Sequence, residues 1–551
     1  MSQNWDDQYD VIIVGTGASG LTAAVTAEYH GMKTLVIEKL DKWGGSTAYS
    51  GGGLWIPNSY LMAEDGVSDS DEEALAYLEA IIEDVGTASS RARKEAYVKN
   101  AREMMVFLKD LGFEWNRAPF YPDYYPNFPG AKTGRTHEGK IMNSRKLGKM
   151  YKSMIQSPTI PAMPATTSDA ALLPLATVTW QGFKRAMSVA GRMIKWGLIS
   201  GTPLSLGRSL VGQLMYILQD RYQTPVWLSA PLKEIIMEDG KAVGVFVEKD
   251  GKTLAIRAEK GILLGAGGFP QNDAYRRKYQ PLGSDWTSAA PGNTGDAIIE
   301  GEKVGGALAM MEEAWFGGSF IMNGLINFAI YERSFPGAII VDHSGERYVN
   351  ESAPYTDLGR KMLDREAEVG GAVPSWLILD GKHRKKYLFG MLPGGYTPKK
   401  YLKDGTFIKA KTISELAQKC RINEQNLQNT IKRFNSFAYS GIDEDFKRGE
   451  YIYDRYYSDY SIKPNSTLAP VKNAPFYAIK IYPGDLGTKG GLLTDEFARV
   501  LREDGSVIEG LYASGNNTAS VMGKTYAGAG ATIGPACAFS YIGMNHLANK
   551  K

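Results

Sequence analysis

Gly15-x-Gly17-x-x-Gly20 follows a short β-branched run, Val11–Val14, and opens a small-residue helical pattern that continues through Ala27. Leu35–Ile37 then reads as a second strand, and Glu38 stands at its end, 18 residues after Gly20. Residues of these types at this spacing hold a dinucleotide. Gly15 permits a tight turn, Gly17 lets the backbone approach a pyrophosphate, and Gly20 lets helix and strand pack closely. Ala18 and Ser19 begin the helix whose N-terminal amides face the phosphates, while Glu38, with Lys39 beside it, can accept hydrogen bonds from a ribose. The strand before, the helix after and the acid at the right distance separate this motif from a chance glycine turn.

The next stretch narrows the nucleotide. Trp43–Gly53 is rich in glycine and serine, with Gly45, Ser46, Thr47, Ser50, Gly51 and Gly52 following the acid at once. A nicotinamide-binding unit ordinarily continues into helix–strand repeats here; such a loop is what flavoproteins with two dinucleotide-type halves carry, its amides and hydroxyls lining the pyrophosphate and isoalloxazine. FAD is favoured over NAD. Ala266-Gly267-Gly268, Gly515-Asn516 and Gly530-Ala531-Thr532-Ile533 are later small-residue segments where backbone can approach the same cofactor. The last of these starts the terminal helix, and its free amides can hold the negative end of a reduced flavin.

Tyrosine is the other chemistry-bearing type, with 31 in the chain. Ala118–Pro129 sets Tyr121, Tyr124 and Tyr125 among four prolines, a stiff irregular segment suited to lining an apolar pocket. Two distant cysteines give neither a disulfide framework nor a metal cluster, and five scattered histidines show no ligand spacing. A net charge of +3 gives no reason to expect nucleic acid. The cofactor strand begins near residue 9, which leaves no room for a leader and points to the cytoplasm.

A chain of 551 residues implies about two domains. Asp69–Val85 and Arg91–Leu111 read as scaffold helices, the second with Tyr97, Ala101, Met104, Leu108 and Leu111 on one face. Val226–Leu228, Glu234–Met237, Ala242–Glu248, Thr253–Arg257 and Gly261–Gly268 read as separate strands, and Gly292–Asp296 as a capped helix start. Between Asp169 and Asp220 there is no acidic residue. Lys184, Arg185, Arg192 and Lys195 fall on one flank of a helix there, with Phe183, Met187, Ile194 and Leu198 clustered elsewhere and Trp180 and Trp196 near the ends. That pattern suits either an interfacial helix or one packed on its own protein. Residues 313–485, with a helix pair at Thr412–Ala438, look like an inserted α+β substrate domain within an α/β, Rossmann-like cofactor domain made of 1–312 and 486–551.

With GTGASG, WGGSTAYSGGGLW, GAGG, GNTGDA, RYVNESAPY, GDLGTKGG and TYAGAGATIGPA in order, the chain resembles the 3-ketosteroid Δ1-dehydrogenases, relatives of fumarate reductases and succinate dehydrogenases. The discriminating runs are Asp123–Tyr125, the tyrosine ending RYVNESAPY, and Thr525–Gly530. The resemblance implies a GR2-type fold, non-covalent FAD, and removal of two hydrogens across C1 and C2 of a 3-keto-4-ene steroid. It implies that Tyr526 and the Gly530 amide hold the C3 carbonyl, that Tyr355 takes the C2 proton, and that Tyr124 is hydrogen-bonded to Tyr355. A quinone or an artificial dye would take the electrons onward. The basic, apolar stretch at about 170–220 resembles what longer members carry, and through about 176–212 it would dock the enzyme on the inner face of the cell membrane. The alternatives kept open are a 3-ketosteroid Δ4-(5α)-dehydrogenase, a fumarate-reductase-like enzyme and a flavin-bearing binding protein without turnover.

Overall fold

Strand Asp7–Val14 loses all exposure after Asp10 except for a trace at Val14, and it forms the centre of an eight-stranded sheet in the computed structural model, which describes residues 4–550. Thr34–Ile37 and then Val226–Trp227 run parallel to it on one side; the second half of Lys252–Leu264 and then Val507–Ala513 do so on the other. Strands covered on both faces carry continuous apolar runs, which is why Val11–Val14 and Ile262–Leu264 lack alternation. The two strands expected at 253–257 and 261–268 are one, Lys252–Leu264, because no turn-forming residue interrupts Ala258-Glu259-Lys260. Its first half pairs antiparallel with Lys241–Lys249, and its second half turns to parallel partners, with a register break opposite Tyr9 and Val11.

Helices Ala18–Tyr29 and Ile533–Asn549 cover one face and touch at Ser19 and Ser540, whose hydroxyls lie 3.0 Å apart. The scaffold helices are Asp71–Ile81 and Arg91–Asp110, capped by the side chains of Ser70 and Ser90. The predicted face of the second is buried in full. The helix after Gly292 begins at Asp296, but Gly295 at its N-cap offers no side chain; Asp296 and Thr294 instead bond Lys39.

A second, six-stranded antiparallel sheet is built from strands between Ala314 and Thr488. Its long strand Phe476–Thr488 pairs with Ala314–Met322 and Ser375–Leu379 and carries the chain back to the cofactor sheet. Helix Tyr355–Val369 packs on Ala314–Met322 so closely that a Cβ at Gly359 would lie 2.4 Å from the Gly317 nitrogen. Helices Ile413–Cys420 and Glu424–Ser440 cover another part of the sheet through a separate apolar cluster.

The stretch at 170–220 divides in two. Helix Gly207–Ile217 is buried almost throughout and packs on the short helix Gly45–Tyr49, which forms within the stretch expected as a loop; the Gly207 amide donates to Ser50 O at 3.1 Å. Only helix Trp180–Leu198 protrudes. Its cationic flank is also divided, since Arg185 and Arg192 turn inward to the buried carboxylate of Asp169 at 3.2 and 2.6 Å. Among the described residues no helix is long and apolar enough to cross a membrane.

Two buried imidazoles set an acid limit on this fold. His137 lies between Ser59 Oγ at 2.8 Å and Arg135 O at 2.9 Å, and neither ring nitrogen of buried His383 has a partner. Burial pushes both down to about 3, from 6.5. The unfolded chain therefore takes up protons below its own pKa that the folded chain refuses. The stability these two rings contribute is fully present above about pH 6.5 and is lost as pH falls toward 3, by at most about 1.4 kcal/mol per unit for each ring. Buried Glu138 and Glu332, pushed up to about 7, and Asp123, pushed up to about 6, act in the opposite sense, so the imidazole part is read as a difference: between pH 7 and 4, His383→Leu is expected to lose less stability in thermal melts than the parent.

Candidate active site

Tyr355 is the first residue of its helix, entered from extended Pro354, so its side chain starts where unpaired amides and the helix dipole present positive potential. Tyr124 comes from the proline-rich loop. That loop is anchored one residue earlier by Asp123, which accepts from Trp55 Nε1 at 2.7 Å, Lys132 N at 2.9 Å and the Arg135 guanidinium at 2.8 Å. Arg135 also binds Asp69 at 2.6 Å with no exposure of either side chain. The Tyr124 amide donates to Ala527 O at 3.0 Å, and Tyr77 donates to the same oxygen at 2.7 Å, so the loop is stitched to the segment bearing Tyr526.

The three rings meet pairwise. Tyr124 stacks on Tyr526 at 5.3 Å between centroids, and Tyr355 stands edge-on to both, at 5.4 and 5.0 Å. Trp315 packs edge-on to Tyr526 at 4.9 Å, and Phe328 to Tyr355 at 5.1 Å. Burial pushes the Tyr355 phenol well above its ordinary value near 10; neighbouring Tyr526 adds to that, while the Tyr124 hydrogen bond opposes it. Tyr526 is raised by burial as well, but its oxygen collects donors that pull it back: Thr532 Oγ1 at 3.0 Å, Tyr355, and the amides of Gly530 and Thr532. A hydroxyl oxygen that accepts several hydrogen bonds makes its own proton a stronger donor. The Tyr526 hydroxyl and the Gly530 amide thus meet at one point beside Tyr355.

Gly530 can reach that point only without a side chain. Its φ is +98°, and a Cβ there would sit 2.5 Å from the Leu54 backbone. Thr136 Oγ1 holds the preceding carbonyl, Ala529 O, at 2.9 Å. The segment 527–530 is therefore pressed against Gly53–Leu54, at the end of the glycine-rich loop expected to line the cofactor.

The FAD binding domain family model matches residues 10–533. A 3-oxosteroid 1-dehydrogenase of Mycolicibacterium smegmatis is 43% identical, covering 98% of this chain and 97% of its own length, and one of Mycobacterium tuberculosis is 42% identical over 98% and 99%. The crystal structure of a 3-ketosteroid Δ1-dehydrogenase from Sterolibacterium denitrificans in complex with 1,4-androstadiene-3,17-dione superposes with a TM-score of 0.93 at 37% identity, covering 99% of this chain and 100% of that one. The chain belongs to the 3-oxosteroid 1-dehydrogenase family.

The residues present fit the FAD of that family. Gly15, Glu38, Gly265–Gly268 and Ser514–Asn516 all follow the carboxyl ends of parallel strands, where ligands of such sheets bind. A Cβ at Gly15 would lie 2.6 Å from Gly265 O, and one at Gly20 would lie 1.9 Å from Gly15 O, so the cradle closes only with glycine. Asn517, beside Asn516, is buried with neither amide atom partnered. Glu38 accepts from Thr16 Oγ1 at 2.6 Å, Thr16 N at 3.2 Å and Leu40 N at 3.1 Å, which leaves room on the carboxylate for a further donor from a ribose.

Several side chains read as cofactor contacts are engaged elsewhere. Lys39 binds Thr294 and Asp296; Ser19 meets Ser540; Thr532 donates to Tyr526; Asn516 accepts from Trp315 at 3.0 Å. Ser46 accepts from Ala290 N and Asn293 Nδ2, both at 2.9 Å, and Thr47 from Ala18 N at 3.1 Å. At Ser19 and Lys39 it is the main chain that remains for a cofactor, because each side chain ties the cofactor wall together. Residues not foreseen include Thr16, Trp315, Phe328 and the tyrosines of 451–457. Tyr121 pairs with Tyr457 at 3.0 Å between hydroxyls, and Tyr453 packs on Tyr124 at 4.5 Å. The tyrosine density of Tyr451–Tyr460 was the available signal.

Asp123→Ala leaves Arg135 half-paired and Trp55 without its acceptor. It is expected to cost about 3 kcal/mol in denaturant unfolding, the scale for breaking a buried ion pair, and to slow turnover further through the displaced Tyr124.

Proposed function

We propose that the chain is an FAD-dependent oxidoreductase that dehydrogenates 3-keto-4-ene steroids at C1–C2, giving 1,4-diene-3-ones. What supports this is the meeting of the Tyr526 hydroxyl and the Gly530 amide beside Tyr355, with Tyr124 donating to Tyr355. The C2 proton is acidic only because it is α to the C3 carbonyl, so the enzyme must polarise that oxygen while a base stands over C2. Tyr526 and Gly530 do the first; Tyr355 does the second, accepting the proton as the enolate forms. Tyr124 donates to Tyr355 and shares its charge, and the helix N-terminus favours the same phenolate. Bound FAD supplies the acceptor for the C1 hydride at N5. A quinone or an artificial dye then removes the two electrons.

Residues 313–485 serve in this reading as the catalytic domain set into the cofactor domain of 1–312 and 486–551. A fumarate-reductase-like site would need arginine and histidine to clamp carboxylates. Arg333, which neighbours Tyr453, donates to the main-chain carbonyls of Ala329, Glu351 and Ala353 instead. Anaerobic mixing with 4-androstene-3,17-dione is expected to bleach the flavin and yield the 1,4-diene; bleaching by succinate, or a product newly unsaturated at C4–C5 from a saturated ketone alone, overturns the reading. Tyr355→Phe should lower the reduction rate constant by about 10²–10⁴-fold with FAD content unchanged. Because burial raises the Tyr355 phenol, its phenolate fraction grows as pH rises, and the rate should climb toward alkaline pH. A profile flat from neutral to strongly basic excludes Tyr355 as the base.

The membrane partner is narrower than about 176–212, since Gly207–Ile217 is core. What supports it is helix Trp180–Leu198, where Trp180, Phe183, Met187, Ile194 and Leu198 share about 60° of arc at ~100° per residue. Trp180, Ile194 and Leu198 are exposed by 67, 68 and 85%. Lys184 and Lys195 flank the stripe, Lys184 lying over the Trp180 ring. Immersing the stripe is worth on the order of 5 kcal/mol, enough for reversible docking at the inner face of the cell membrane in the cytoplasm. Substituting Ser at Phe183, Ile194 and Leu198 together should lower co-sedimentation with phospholipid vesicles about tenfold and leave reduction by androstenedione unchanged; equal co-sedimentation ends this proposal.

A further inference from the structure

Lys489 has no solvent exposure and stands one residue past the long strand Phe476–Thr488. Its Nζ donates to Lys524 O at 3.0 Å and Thr525 O at 2.8 Å, the two carbonyls immediately before Tyr526. The same nitrogen lies 4.3 Å from the centroid of Trp315, the ring that packs edge-on to Tyr526. Main-chain bonds fix the lysine in turn: its amide donates to Glu313 O at 2.9 Å, and its carbonyl accepts from Ser520 N at 3.1 Å. The carboxylates that face it are already occupied, Glu313 by Arg360 and Asp357 by Tyr125 at 2.8 Å.

We propose that Lys489 is a positioning residue for the steroid reaction, clamping the carbonyls of Lys524 and Thr525 so that the Tyr526 hydroxyl meets the substrate C3 oxygen beside Gly530. This rests on the function proposed above. The geometry suits no structural ion pair, because no carboxylate bonds the lysine directly. Its donors go to two carbonyls and an aromatic face, all of them belonging to Tyr526 or to its neighbours. Burial pushes the ammonium down to about 7, and the neutral amine can still donate to both carbonyls, so the clamp survives loss of the proton. Without it, Tyr526 would keep its ring packing but lose the restraint on its main chain, and small misplacements of a polarising donor are costly in rate.

The test uses FAD-loaded full-length protein. Lys489→Met is expected to retain FAD and to bind 1,4-androstadiene-3,17-dione within about threefold of the parent, while the rate constant of flavin reduction at saturating 4-androstene-3,17-dione falls about 10- to 100-fold. The independent readout is ¹³C NMR of the bound dienone labelled at C3, whose downfield shift reports carbonyl polarisation and should be at least halved in the variant. An unchanged shift overturns the proposal, as does a parental rate constant. A loss of rate that only follows loss of FAD also overturns it. If Lys489→Met does not fold, Thr525→Gly loosens the same segment from the other side and must lower both rate and shift; parental values there overturn the proposal. Failure of the parent protein itself to be bleached by the steroid would instead remove the proposed function and is read separately.

Discussion

Two pieces of backbone touch where no side chain can stand between them: Gly530, at φ +98°, against Gly53 and Leu54. Most of the site depends on that contact. One side is the loop after the first helix–strand unit, and the other is the turn into the last helix, nearly the whole chain apart. Pressing them together aims the Gly530 amide at the Tyr526 oxygen and brings both to the wall where the cofactor loop ends. The contact is held from outside by Tyr77, Tyr124 and Thr136, each donating to a carbonyl of 527–529. A strained, side-chain-free approach persists only when its surroundings over-determine it, and here three separate elements do so.

The polar groups around the site divide between support and chemistry. Asp123, Arg135 and Asp69 form a buried ionic array that touches no reacting atom, yet it anchors the residue next to Tyr124. Such an array is weak evidence for net stability; its value lies in fixing one loop conformation. Ser19, Lys39, Ser46 and Thr47 act similarly in the cofactor half, their side chains binding one part of the wall to another. The tyrosines are left as the groups able to move a proton, and burial raises every one of them. In the proposed reaction the differences among them matter: Tyr526 collects donors, Tyr355 sits at a helix start, and Tyr124 lies between.

Part of this was legible because local rules decide it. The βαβ start needs glycines and an acid at fixed offsets, and Glu38 does stand at the end of its strand. Tyr124, Tyr355 and Tyr526, brought forward by resemblance of their motifs, do share one cluster. Other features were not legible. Helix Trp180–Leu198 and helix Gly207–Ile217 lie in one acid-free stretch, yet one protrudes and the other is core, packed on helices Ala18–Tyr29 and Gly45–Tyr49. Arg185 and Arg192 share one flank with Lys184 and Lys195 in the sequence, and only the fold sets Asp169 beneath the two arginines.

The sequence by itself determined the nucleotide half, since strand, turn, helix and acid are fixed by residue types within some thirty positions, where the chain's own geometry leaves little freedom. Tertiary structure decided the reacting half. Tyr124, Tyr355 and Tyr526 stand far apart in the chain, and nothing in their spacing brings their rings within van der Waals reach. That took two sheets joined by one long strand, a helix seated on glycine, and a loop held by buried charge. The same holds for Lys489, an ordinary lysine in the sequence, which becomes a main-chain clamp only because the folded chain places two carbonyls and a tryptophan around it.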